Sequence, residues 1–136
     1  MSFPISLVRL GLDRVIALAR SGSLPPAYLW AAVKGGWRYL EAISTGDVSP
    51  DAISSERLDA CKGCNALELV ATSKPGVAAA YCGRGEPMSG GPTCGCLVGI
   101  TVEREPIKPA GKLLVGSEAC PRYLWLPYRA SQEPTS

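Results

Sequence analysis

The chain contains no histidine. It therefore lacks the side chain best suited to general acid–base work near pH 7 and the commonest non-thiol ligand of a catalytic zinc. No phosphate loop of the G-x-x-x-x-G-K-[S/T] kind is present. The carboxylates are scattered and form no paired acid–base arrangement. These absences argue against an enzyme. No uncharged run approaches the roughly 18 residues of a membrane-crossing helix, so no membrane partner is expected. The opening stretch MSFPISLVRLGLDRVIALAR has no basic start, and Arg9, Asp13 and Arg14 interrupt its apolar run. It is not read as a signal peptide, and the protein is expected to be made in a cytoplasm.

Concentrated charge is missing as well. The formal net charge is +2, from 14 Lys and Arg against 12 Asp and Glu. Six basic residues face six acidic ones in residues 1–60, and eight face six in the remainder. A nucleic-acid binder gathers positive charge on one face or segment; this chain does not.

What the chain does have is glycine, proline and cysteine: 15, 12 and 6 in 136 residues. Most of the glycine and proline lies after Thr72. That half is expected to be turn-rich, helix-poor and short of core, and so to need another staple.

Before it, helices are expected. Val8, Leu12, Val15, Ile16 and Ala19 repeat along one helical face, with Arg9, Asp13 and Arg20 opposite. After the break SGSLPP, a second helix is predicted over 26–44, with Leu29, Val33, Trp37 and Leu40 in register. Gly35-Gly36 weakens it and marks a kink or a close contact. Trp30 and Trp37 read as core or interface packing. Gly46 ends this helix, and Ser49 (N-cap), Pro50 and Asp51 start a short one leading to Cys61. Strands are predicted near 66–72, 77–82, 96–104 and 112–116, the third being rich in β-branched residues. The fold class is α+β. Residues 1–48 form amphipathic helices, 49–126 a short helix and a cysteine-rich β module, and 127–136 an extended tail.

The cysteines follow C-x2-C-x17-C-x11-C-x-C-x23-C. Cys61 and Cys64 have the spacing that presents two thiolates to one tetrahedral metal, and Gly63 suits a left-handed turn between them. Cys94 and Cys96 flank Gly95; on a strand, residues two apart share a face. Cys82 and Cys120 each end a predicted strand, at a glycine turn and at a proline. In a reducing compartment such clustering favours metal over disulfide. An all-thiolate zinc site would be closed and would stabilise the fold. One zinc takes four of the six sulfurs; Cys61 and Cys64 with two of Cys82, Cys94, Cys96 and Cys120 is the preferred set. Two zincs with bridging thiolates, disulfides, an iron–sulfur cluster and inert buried thiols remain as alternatives.

Taken together, Arg57-Leu58-Asp59-Ala60-Cys61-Lys62-Gly63-Cys64, then Cys94-Gly95-Cys96-Leu97, then Cys120-Pro121-Arg122-Tyr123-Leu124-Trp125 resemble small cysteine-rich, zinc-ribbon-like proteins of tailed bacteriophages. The match covers about residues 49–125. It departs from the compact pattern by an insertion, residues 83–93, which is expected to open any knuckle made by Cys82 with Cys94. The basic residue usual soon after C-G-C is also displaced, to Arg104. The resemblance implies a virion protein with bound zinc. The reading carried forward is a non-enzymatic structural component of the neck, tail, baseplate or capsid surface, bound to other virion proteins. Trp30, Trp37, Trp125 and Tyr128 are its candidate partner-binding residues. A zinc-ribbon nucleic-acid-binding or regulatory factor, a thiol redox protein and a disulfide-stapled virion protein are the competing readings.

Overall fold

A computed structural model describes residues 3–128, with side chains from residue 9 onward. The expected extended tail falls, from residue 129, outside the described residues. Three helices come first: α1 (Phe3–Arg20), α2 (Pro26–Thr45) and α3 (Asp51–Lys62). A four-stranded antiparallel meander follows, β1 (Leu67–Ala71), β2 (Val77–Cys82), β3 (Leu97–Val102) and β4 (Lys108–Pro109), in the order β1-β2-β3-β4. The chain is thus α+β, helices before sheet.

The interior of the sheet sets small residues beside two large ones, Tyr81 and Val98. Ala79 and Ala80 of β2 are fully buried, and the register slips between Ala80 and Tyr81 where β2 meets β3. One small core forms where α3 crosses the sheet, from Leu58, Cys61, Ala80, Val98 and Leu113. Leu67, Ile107 and Trp125 close its edges. Each fully buried leucine contributes about 2 kcal/mol relative to exposure. A second, smaller cluster joins Tyr39 and Ala42 of α2 to Val115.

The apolar run around Leu113, predicted as a strand over 112–116, is instead a single 3-10 turn, Gly111–Leu114. Leu113 O and Val115 O are claimed by side chains, and the segment's strand pairing is reduced to a single antiparallel bridge between Val115 and Val48. Leu113 O accepts from Ser49 Oγ (2.8 Å), Ser54 Oγ (3.2 Å) and Arg57 Nη1 (3.3 Å). Arg57 also donates to Val115 O and Gly116 O, at 2.8 and 3.0 Å. Ser49, expected to cap α3, is occupied in this way; Pro50 takes the cap position without a side-chain bond, and the helix starts at Asp51.

The orientation of α1 also departs from expectation. Among its described side chains Arg14 and Leu18 are buried, while Leu12 and Ile16, placed by periodicity on the packing face, are exposed; Val8, placed on the same face, lies outside the described side chains. The guanidinium of Arg14 lies 5.3 Å from the Tyr81 ring centre and 5.9 Å from that of Tyr28. It pairs with Glu68 at 2.9 Å. Two aromatic faces and a carboxylate make this the side that packs. The Tyr81 hydroxyl donates to Leu10 O and ties α1 to the sheet. On α2, Leu29, Trp30, Val33, Trp37, Leu40 and Ile43 are all exposed, both tryptophans at 69%.

Removing Arg57 tests this account of the core. Arg57→Ala takes the charged donor from the carbonyls of Leu113, Val115 and Gly116, which keep only neutral ones, and strips the cation from the Trp125 ring; it should cost about 3 kcal/mol. Arg57→Lys keeps the charge but not the planar fork and should fall between. Urea unfolding followed by circular dichroism gives both values.

Candidate functional site

The six cysteines reach the module from different elements. Cys61 lies on the buried face of α3. The chain turns at once, and the Cys64 amide donates to Cys61 O at 3.0 Å. Gly63 has φ −84° and ψ −3°, a right-handed conformation, so the expected left-handed knuckle is not formed. A Cβ added at Gly63 would meet only Ala60 O, at 3.7 Å.

Cys82 closes β2, as expected, and Gly83 turns after it with φ +63°. Cys94 and Cys96 precede β3 rather than sharing a strand face; Gly95 between them has φ +69°. The turn is strapped to the end of β2: Gly95 N–H donates to Cys82 O (2.7 Å) and Cys82 N–H to Cys96 O (3.0 Å). A side chain at Gly95 would come within 2.8 Å of the Tyr28 ring. Cys120 is buried in irregular chain, not at a strand end.

The insertion 83–93 does not separate Cys82 from Cys94. It folds back on itself, with Met88 and Gly91 exchanging backbone hydrogen bonds of 2.9 Å. The Thr93 hydroxyl donates to Glu86 O (2.7 Å) and accepts from Gly85 N–H (3.1 Å), fastening the base of the loop. Cys94 therefore returns beside Cys82, and their thiols interact.

The sulfurs fall into two neighbourhoods that share Cys94. Burial pushes the Cys61 thiol up; the Trp125 ring N–H opposes this, while Cys120, Cys64 and Cys94 add to it. Hydrogen bonds from the thiols of Cys82 and Cys96 hold Cys94 well below the ordinary thiol range, and the Lys112 ammonium helps. Donating to Cys94, together with burial, raises Cys82 and Cys96. Burial works against the charge on Lys112, but Cys94 and Cys96 outweigh it and raise its pKa.

Two N–H groups, both of Arg122, donate to sulfur. The Arg122 amide donates to Cys120 Sγ at 3.3 Å, and its Nη1 to Cys64 Sγ at 3.4 Å. Buried Trp125 Nε1 completes no hydrogen bond and lies by Cys61, where it favours the thiolate. The rest of the Arg122 guanidinium holds the insertion, through Pro92 O (3.0 Å), Gly91 O (3.2 Å) and Ser89 O (3.3 Å). Among the described residues, no three Cys, Asp or Glu side chains converge closely enough to hold a metal ion as placed. The donor set itself suits a soft metal: thiols only, with N–H groups and a guanidinium positioned to offset thiolate charge.

Of the aromatic candidates, Trp30 and Trp37 stand in solvent on α2. Trp125 packs on the core, with Arg57 4.4 Å from its ring centre. Tyr128 is half-buried, its amide donating to Gly116 O at 2.7 Å. Sequence reasoning missed the roles of Arg122, Thr93 and Lys112. Arg122 sits beside Cys120 and was open to discovery, whereas no local spacing announces Thr93 or Lys112. No family model, curated protein or solved structure matches the chain.

Two substitutions separate conformational need from accident. Gly63→Ala should leave stability within about 0.5 kcal/mol of the parent, because neither φ nor space demands glycine. Thr93→Val should cost about 1–2 kcal/mol by stranding Gly85 N–H and Glu86 O. Denaturant midpoints check both.

Proposed function

We propose that the protein is a non-enzymatic structural component of a tailed-bacteriophage particle, its cysteine module held by a zinc ion. Two N–H groups of Arg122 directed at Cys64 and Cys120 carry the metal reading, because such donors stabilise thiolates that a metal keeps deprotonated. Cys94, whose thiolate is favoured and which neighbours Cys61, is the fourth ligand. Cys82 and Cys96 are the outer partners of Cys94. Zinc would supply a cross-link between α3, the C-G-C turn and the C-terminal segment, in place of a core too small to fix them.

The virion assignment rests on the sequence resemblance over residues 49–125. It agrees with a chain that has no histidine, no phosphate loop and a broad apolar face on its helices. That face suits a subunit ordered among neighbours.

Elemental analysis and thiol titration of the purified full chain, without reductant, test the metal. About one zinc per chain is expected. Ser replacements at Cys61, Cys64, Cys94 or Cys120 should lose it, whereas Cys82→Ser and Cys96→Ser should retain it. Absence of both metal and free thiols would mean disulfides and end the zinc reading. Mass spectrometry of purified phage particles tests the location; absence of the chain from them would end the virion reading.

A further inference from the structure

The observation that zinc does not explain is where the large apolar side chains of the helices point. Eight of them on α1 and α2 are exposed, including Trp30 and Trp37 at 69%, Val33 at 65% and Leu12 at 55%. The surface is continuous across both helices, because Leu12 and Val15 of α1 line the same cavity as Val33 and Leu40 of α2. The cavity has a volume of ≈400 Å³, and small residues, Gly11, Ala32 and Gly36, form part of its wall.

We propose that this face binds a second copy of the chain through an antiparallel α2–α2 contact about a two-fold axis, giving a four-helix dimer. Two features favour a copy over an unrelated partner. The eight side chains leave on the order of 900 Å² of apolar surface in water, near the roughly 800 Å² per partner of a stable interface. An ordinary monomer's largest patch is about 300–600 Å². Second, Lys34 and Glu41 are both exposed on the polar strip bordering the patch, two helical turns apart with Trp37 near their midpoint. A two-fold axis at Trp37 brings each Lys34 opposite the Glu41 of the other copy. The charges are self-complementary only in the antiparallel sense.

Sedimentation equilibrium of the full chain with zinc present, over a range of concentrations, reads the mass directly. A dimer is expected, with Trp emission shifting to the blue as it forms. Trp37→Glu should be monomeric throughout. Lys34→Glu should weaken association about tenfold, and the exchange Lys34→Glu with Glu41→Lys should restore it. All three sites are exposed, so the monomer fold is retained, which circular dichroism verifies. A wild-type monomer, a closed oligomer larger than a dimer, or a Trp37→Glu dimer would overturn the proposal. So would failure of the double exchange to restore association. A monomer that instead floats with vesicles containing phosphatidylserine would assign the face to a membrane, which also overturns it.

Discussion

The buried guanidinium of Arg57 is the joint on which the cysteine module turns. It sits on α3, is 2% exposed, and reaches carbonyls of the 3-10 turn, of Gly116 and, at 3.4 Å, of Leu126. Its remaining face covers the Trp125 ring. Desolvation lowers its pKa, and Asp47 and Glu118 offset part of that cost from a distance. A cation buried without a contacting carboxylate is tolerable only because backbone dipoles solvate it. Those dipoles belong to residues 113–126, so burying the charge and ordering the C-terminal segment are one event. The same contact brings Cys120 and Trp125 towards α3, where Cys61 lies.

The helices and three strands were legible because each is a local pattern. α2 lies between Pro26 and a left-handed Gly46 with φ +78°, close to the signals that predicted it. β3 follows its β-branched run. The failures share one cause, a long-range claim on a group that looked free locally. Ser49 is an ordinary N-cap by sequence, but Ser54 and Leu113 hold its hydroxyl. Lys112-Leu113-Leu114-Val115 is an ordinary strand by composition, but the carbonyls of Leu113 and Val115 turn to α3. On α1 the period was right and the direction wrong. The helical face with more apolar residues lost to one that offers Arg14 two aromatic rings and Glu68, contacts made with residues 28, 68 and 81.

The cysteines illustrate the limit of spacing more sharply. Eleven residues between Cys82 and Cys94 predict separation only if those residues form an open loop. Thr93 closes the loop at its base and Arg122 holds its tip, neither of which a cysteine count can register. Gly63 fails in the opposite direction: a glycine in the expected place carries no left-handed turn. Gly95 is the glycine that geometry requires, since it has positive φ and lies against Tyr28. Where the chain passes between a tyrosine ring and the end of β2, a Cβ would prevent the strap that aligns Cys82 with Cys94 and Cys96.

That strap also explains the inverted character of α2. A Cβ at Gly35 would lie 3.2 Å from Cys96 Sγ, so the helix backbone presses on the C-G-C turn. Close approach demands small residues inward, and α2 supplies Ala31, Gly35 and Ala42 there, interrupted by Tyr28 and Tyr39. The large apolar residues are then left on the far side by exclusion rather than by chance. Periodicity finds an apolar face but not what it meets, because a helix resting on a thiol-lined turn has the opposite size pattern from one resting on leucines. An outward face carrying two tryptophans would be a poor sequence choice for a helix that ends at water. It is a consistent one for a helix that packs the cysteine turn on one side and another chain on the other.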